Sequence, residues 1–129
     1  MLEETEQEET ALQLDTLSRM MAQHLATPFP PGVRGMEIAG EDLVLLDANA
    51  YGYISGVRDG PLDERRRAGL LRVAAAIAEV LPAIDDERAA EYCTHLRDMA
   101  VLAAEIGTSP ASADREPGPG FQVPGYRSR

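Results

Sequence analysis

Few side chains in this sequence have the type and spacing to do chemistry. The chain holds two histidines, His24 and His95, and one cysteine, Cys93. Imidazole serves as a general base or metal ligand near neutral pH, and a thiolate as a nucleophile or ligand. On a helix, Glu91, His95 and Asp98 would share one face at i, i+4 and i+7, where two carboxylates and an imidazole could meet a metal. That spacing differs from the Glu-x-x-His pairs of di-iron bundles, it has no second copy, and Arg88 and Arg97 stand beside it. The expected reading is a solvated charged face, and no metal ligand is assigned. Cys93 and His95 are two positions apart, so they leave a helix on different sides and make neither a chelate nor a catalytic dyad. Cys93 is expected to be a small buried hydrophobe.

Nucleophilic chemistry finds no better footing. Ser18, Ser55, Ser109, Ser112 and Ser128 lack a Gly-x-Ser-x-Gly frame, and no base is indicated for Ser55. All twelve basic residues are Arg, so Schiff-base and P-loop chemistry, which use Lys, are absent. Gly52-x-x-x-Gly56 matches neither a dinucleotide fingerprint nor, among polar neighbours, a membrane dimer motif. No catalytic residue and no cofactor are assigned.

What remains are contact residues. Arg65, Arg66 and Arg67 spread over about 200° of a helix, so at least one should skirt the core. Pairing with Asp63, Glu64 or a neighbouring helix is the expected reading, and a grip on a phosphate or partner carboxylate is the functional one. Asp47 falls inside the apolar segment 43–54 and is expected to pair with an Arg such as Arg66 or Arg72. Alternatively it contacts a ligand from a small-residue groove formed by Ala48, Gly52 and Gly56 and flanked by Tyr51 and Tyr53. Near the C-terminus, Phe121 and Tyr126 stand out from a polar stretch. They are either incidental or a short docking motif, Phe-Gln-Val-Pro-Gly-Tyr.

The elements that must carry these residues follow from apolar spacing, since helices repeat near 3.6 residues and strands near 2. In 85–107 the apolar positions are Ala89, Tyr92, Leu96, Met99, Ala103 and Ile106, with Asp85 as N-cap and Gly107 as terminator. In 61–81 they are Leu70, Val73, Ala74, Ile77 and Leu81, with Pro61 at the first helical position and a stop before Pro82. The short link between the two predicts an antiparallel hairpin. A third helix, 8–26, carries Leu14, Leu17, Met21 and Leu25, and ends at a Pro-rich link anchored by Phe29. Residues 36–57 are ambiguous. Leu43, Leu46, Ala50, Tyr53 or Ile54, and Val57 favour a helix capped by Asp42, and the row Ala48, Gly52, Gly56 would allow close helix approach. A β-hairpin over 36–57, giving an α+β protein, is the alternative. The expected fold is all-α: a four-helix, mostly antiparallel bundle with flexible ends.

The ends also differ in charge. Residues 1–10 hold five Glu and no cation and read as an acidic arm. Residues 107–129 are rich in Gly and Pro, carry +1, and read as a disordered tail. The helical domain, 11–106, carries −6 of the total of −10. With a pI near 4.5, nucleic acid is excluded as an ordinary partner, because counterion release needs a basic footprint. No apolar run reaches the roughly 20 residues of a membrane span, and the N-terminus does not open like a signal peptide, so a cytoplasmic location is expected. Arg without Lys, with abundant Ala, suggests a GC-rich bacterial coding bias. The expected function is that of a small acidic, non-enzymatic interaction or regulatory protein, in one version immunity- or antitoxin-like, with a basic protein as partner. The alternatives are a small-ligand binder or enzyme using the Gly52/Gly56 groove, and a homodimeric structural module.

Overall fold

The computed structural model describes residues 2–106, with side chains from Thr5 onward. Phe121, Tyr126 and the rest of segment 107–129, with the helix stop assigned to Gly107, lie outside the described residues. Four helices account for nearly all of the structure: α1 (Leu2–Ala26), α2 (Leu43–Gly56), α3 (Glu64–Val80) and α4 (Glu87–Glu105). A two-stranded antiparallel ribbon, β1 (Glu37–Ile38) and β2 (Glu41–Asp42), precedes α2. The fold is an all-α bundle.

Helix α4 is the central element. It packs against each of the other three, and α2 and α3 pack against each other. Every apolar position read on α4 is buried: Ala89, Tyr92, Leu96, Met99, Ala103 and Ile106. The cap falls one residue later than expected. Asp86, not Asp85, accepts from the Arg88 amide. Helix α3 likewise starts later than Pro61, because Asp63 takes the cap and accepts from the Arg66 amide. It stops at Val80, and Pro82 sits in a single 3-10 turn that returns the chain to α4. The pair is antiparallel: Arg67 near the start of α3 donates from Nε to the Ala104 carbonyl near the end of α4, at 2.9 Å.

The ambiguous segment is a helix. Leu43, Leu46, Ala50, Ile54 and Val57 are all buried, and Asp42 accepts from the Val44 and Leu45 amides as an N-cap. The hairpin alternative is not formed, since its strands, 43–46 and 51–54, both lie in α2; the four-residue ribbon before it pairs Glu37 with Asp42 and Ile38 with Glu41. Its turn has positive φ at both central residues, 53° at Ala39 and 81° at Gly40, the pattern of a type I′ turn.

The stripe on α1 shifts from its predicted line. Leu17 and Met21 are buried and Leu14 packs on the core, but Leu25 is 69 % exposed and His24 takes the inward position at 5 %. Both choices keep helical spacing after Met21, so periodicity alone does not decide between them. From Leu2 onward the acidic segment is helical and forms the first turns of α1.

Candidate functional site

The inward turn of His24 builds a polar cluster inside an apolar core. Its Nε2 lies 2.8 Å from Asp47 Oδ1, and the Tyr92 hydroxyl donates to Asp47 Oδ2 at 2.9 Å. The same hydroxyl is 3.2 Å from His24 Nε2. A nitrogen this close to a carboxylate oxygen carries a proton, so His24 Nε2 donates to Asp47. Among the described residues, His24 Nδ1 is the one buried side-chain polar atom without a hydrogen-bond partner. Three elements contribute: α1 supplies His24, α2 supplies Asp47, and α4 supplies Tyr92.

Rings enclose the imidazole. Tyr51, one turn after Asp47 on α2, stacks near-parallel at 5.7 Å, and His95 lies near-parallel on another side at 6.3 Å. Phe29 from the Pro-rich link meets Tyr92 edge-on at 5.3 Å, which fulfils its expected anchoring role, and Arg34 covers Phe29. Burial raises the Tyr92 phenol above its ordinary value of 10.0, and the hydrogen bond to Asp47 and its charge push the same way. Cys93 is buried as expected. Desolvation, reinforced by the Asp47 charge, pushes its thiol up to about 11. Such a thiol stays protonated near neutral pH and is a poor nucleophile.

Of the residues singled out by sequence, Asp47 and Tyr51 belong to this cluster. The expected Asp47–Arg pair is not formed. Asp47 faces the α1–α4 side, whereas Arg66 is exposed and lies 4.0 Å from its own helix cap, Asp63, and Arg72 lines a groove on the opposite side of α2. Gly52 lies on that opposite side as well. With Ala48, Asn49 and Tyr53 it faces Gly69, Arg72 and Ala76 of α3 across an open groove of about 570 Å³. The close approach read for the Ala48, Gly52, Gly56 row is absent there. A methyl group added at Gly52 would meet nothing within 4 Å, and at Gly56 only Leu62, at 3.6 Å. The tight contact between α2 and α3 is at Gly69, where an added methyl would run into the Tyr53 hydroxyl and stand 2.7 Å from its Cζ. Arg65, Arg66 and Arg67 do not converge. Arg65 and Arg66 are exposed, and Arg67 skirts the core to cap α4. The Ser55 hydroxyl is spent on the Tyr51 carbonyl at 2.9 Å.

His24 and Tyr92 are the members of the cluster that sequence reasoning missed, Tyr92 having been assigned only to the core. Two signals pointed to them: an aspartate inside an apolar helix needs buried donors, and His24 continues the Leu17, Met21 row. His95 turns Nε2 to the Met20 carbonyl at 3.0 Å while Glu91 and Asp98 stay exposed. Among the described residues, no group of three or more His, Cys, Asp or Glu is placed to hold a metal ion. None of their helices is long and apolar enough to cross a membrane.

The cluster borders solvent through a cleft of about 280 Å³ between the end of α1 and the start of α4, lined by Gln23, His24, Thr27, Arg88, Glu91, Tyr92 and His95. Compared with models of known families, with curated proteins and with solved structures, the chain matches none.

Proposed function

We propose that this is an acidic, non-enzymatic interaction protein of the cytoplasm that binds a basic protein partner through the N-terminal half of α1. The observation carrying the reading is how that helix is placed. Among its described side chains, Leu14 is the first apolar one to pack on the core, while Glu6, Glu8, Glu9 and Ala11 are exposed and Leu12 is 69 % exposed. About 18 Å of helix, at 1.5 Å per residue, therefore precedes the packed part. It combines an uncompensated acidic surface with an apolar side chain at its inner end. Acidic residues speed and select the encounter with a basic surface, and an apolar anchor contributes affinity. The absence of Lys and the net charge of −10 support the same direction, since the field repels polyanions. An immunity- or antitoxin-like role is one version of this reading.

The test compares the full chain with a chain lacking residues 1–10 and with Leu12→Ser, each immobilised and exposed to extract of the native host at about 50 and 300 mM salt, with retained proteins identified and then purified for titration. The expected result is a basic protein held by the full chain, released as salt rises, and bound at least tenfold more weakly by both variants. A partner that binds all three chains equally would place the interface elsewhere, and the absence of any protein partner at either salt concentration would refute the reading.

A further inference from the structure

The chain leaving α4 emerges beside the acidic half of α1. The two helices run antiparallel, since His95 meets the Met20 carbonyl and, one turn further along α1, His24 meets the Tyr92 hydroxyl. With 1.5 Å of rise per residue in both helices, that register sets the end of α4 level with about residues 9–11 of α1. Burial along α1 agrees. Residues 5–9 are exposed, and the first partly covered side chains are Thr10, Gln13 and Leu14. Helix α4 therefore runs toward the tip of the projecting half of α1, and the chain leaves Ile106 at the root of that half.

The two segments are complementary. Residues 1–10 hold five Glu and no Arg, and Glu6, Glu8 and Glu9 make no ion pair among the described residues. Leu12, 69 % exposed, stands one turn from Glu8 and Glu9. Residues 117–129 hold Arg127 and Arg129 and no acid, and they carry Phe121, Val123 and Tyr126. An acidic helix face with an apolar contact point thus stands at the exit of a segment that sets cations next to aromatic rings. Reach permits the contact. Residues 107–120 separate Ile106 from Phe121 and span at most about 50 Å, against about 18 Å for the projecting half. A tethered segment meets a site within its reach at an effective concentration in the millimolar range, so a few weak contacts suffice. The α2–α3 groove offers no such match, because its charged lining residue is Arg72.

We propose that residues 121–129 of this chain dock on the N-terminal half of α1. Phe121 and Tyr126 cover Leu12, and Arg127 and Arg129 lie along Glu6, Glu8 and Glu9. Single exposed ion pairs contribute little, so the aromatic cover of Leu12 supplies the hold and the charges select the place. The consequence for function rests on the reading above: the segment occupies the surface that a basic partner uses, and the partner must displace it.

The test is paramagnetic broadening in the full chain with no partner present. A nitroxide is attached at Ser128→Cys; Cys93 is buried and its thiol is pushed up to about 11, so it escapes labelling. The expected result is broadening of the backbone amides of residues 5–12 at about 50 mM salt, reduced at about 300 mM and lost in Arg127→Gln/Arg129→Gln and in Leu12→Ser. Broadening of α1 that survives salt and both variants would mark tethering alone and overturn the proposal. So would the absence of localised broadening, or broadening centred on Gly52 and Gly69 in the groove. Broadening seen only between separately labelled chains would mark a second copy and overturn it as well. Since no partner is present, failure of the partner reading leaves this result untouched. Once a basic partner is in hand, Arg127→Gln/Arg129→Gln should bind it at least about threefold more tightly, and unchanged affinity overturns the competition.

Discussion

Replacing Asp47 with alanine should destabilise the bundle severely, and the reason lies in two hydrogen bonds that no other side chain can make. The carboxylate accepts from His24 Nε2 at 2.8 Å and from the Tyr92 hydroxyl at 2.9 Å, and both donors are more than nine-tenths buried. A hydrogen bond to a charged group contributes about 1.5–3 kcal/mol, and its loss leaves the buried partner unsatisfied. Asp47 is itself 21 % exposed in its side chain, so its own desolvation cost is modest and offsets only part of that loss. A net loss of about 3 kcal/mol follows, a large share of the roughly 5–15 kcal/mol that holds a domain of this size together. With a urea slope of about 1–3 kcal/mol per molar, the unfolding midpoint should fall by about 1.5 M, read by circular dichroism at 222 nm. Tyr92→Phe removes one of the two bonds and should cost about 1–1.5 kcal/mol. In the double variant the two losses should not add, with a coupling of at least about 0.5 kcal/mol, because both changes break one shared bond. A midpoint shift below about 0.3 M for Asp47→Ala, or strict additivity with Tyr92→Phe, would refute the claim that this carboxylate organises the core.

Four further outcomes follow from the same geometry. Cys93 should resist iodoacetamide in the folded protein at pH 8 and react at the rate of global unfolding, because burial holds its thiol at about 11. Both Cys93 and Tyr92 are raised above their unfolded values near 9 and 10, so the stability they contribute is complete below pH 9 and is lost as pH rises through about 11 and beyond; stability rising over that alkaline range would contradict this. Gly52→Ala should raise stability by about 0.5–1 kcal/mol in urea unfolding, since its methyl meets only open groove, whereas Gly69→Ala should lose that gain to the Tyr53 ring and recover it in a Tyr53→Ala background. Ala39→Asn should stabilise by a few tenths to about 1 kcal/mol in thermal unfolding, because Asn tolerates the 53° φ of this turn better than Ala does.

Much of the architecture was legible because helical burial writes itself into spacing. The apolar set on α4 was read residue by residue, that on α2 with only the choice of Tyr53 or Ile54 left open, and Asp42 was recognised as a cap from its place before an apolar run. Helix starts elsewhere slipped: the α4 cap moved from Asp85 to Asp86, since adjacent acidic residues compete for the same role and only backbone geometry selects one, and α3 begins after its Asp63 cap instead of at Pro61. The candidate site was half legible. Asp47 and Tyr51 were named, but grouped with Gly52 as one groove, although a helix turns successive residues by about 100°. The fold sends the first pair toward His24 and the glycine toward α3.

The sequence by itself determined that four apolar stripes of helical period must share a core, that no Lys-dependent or Cys-rich chemistry is open to the chain, and that its acidity gathers at the N-terminus. These are local or compositional properties, fixed whatever the packing. Tertiary structure decided which of His24 and Leu25 faces inward and with what Asp47 pairs. Either residue continues the α1 stripe, and the difference lies in partners 23 and 68 positions away, on α2 and α4. A buried carboxylate needs buried donors, and only the packed bundle brings His24 and Tyr92 to the same two oxygens.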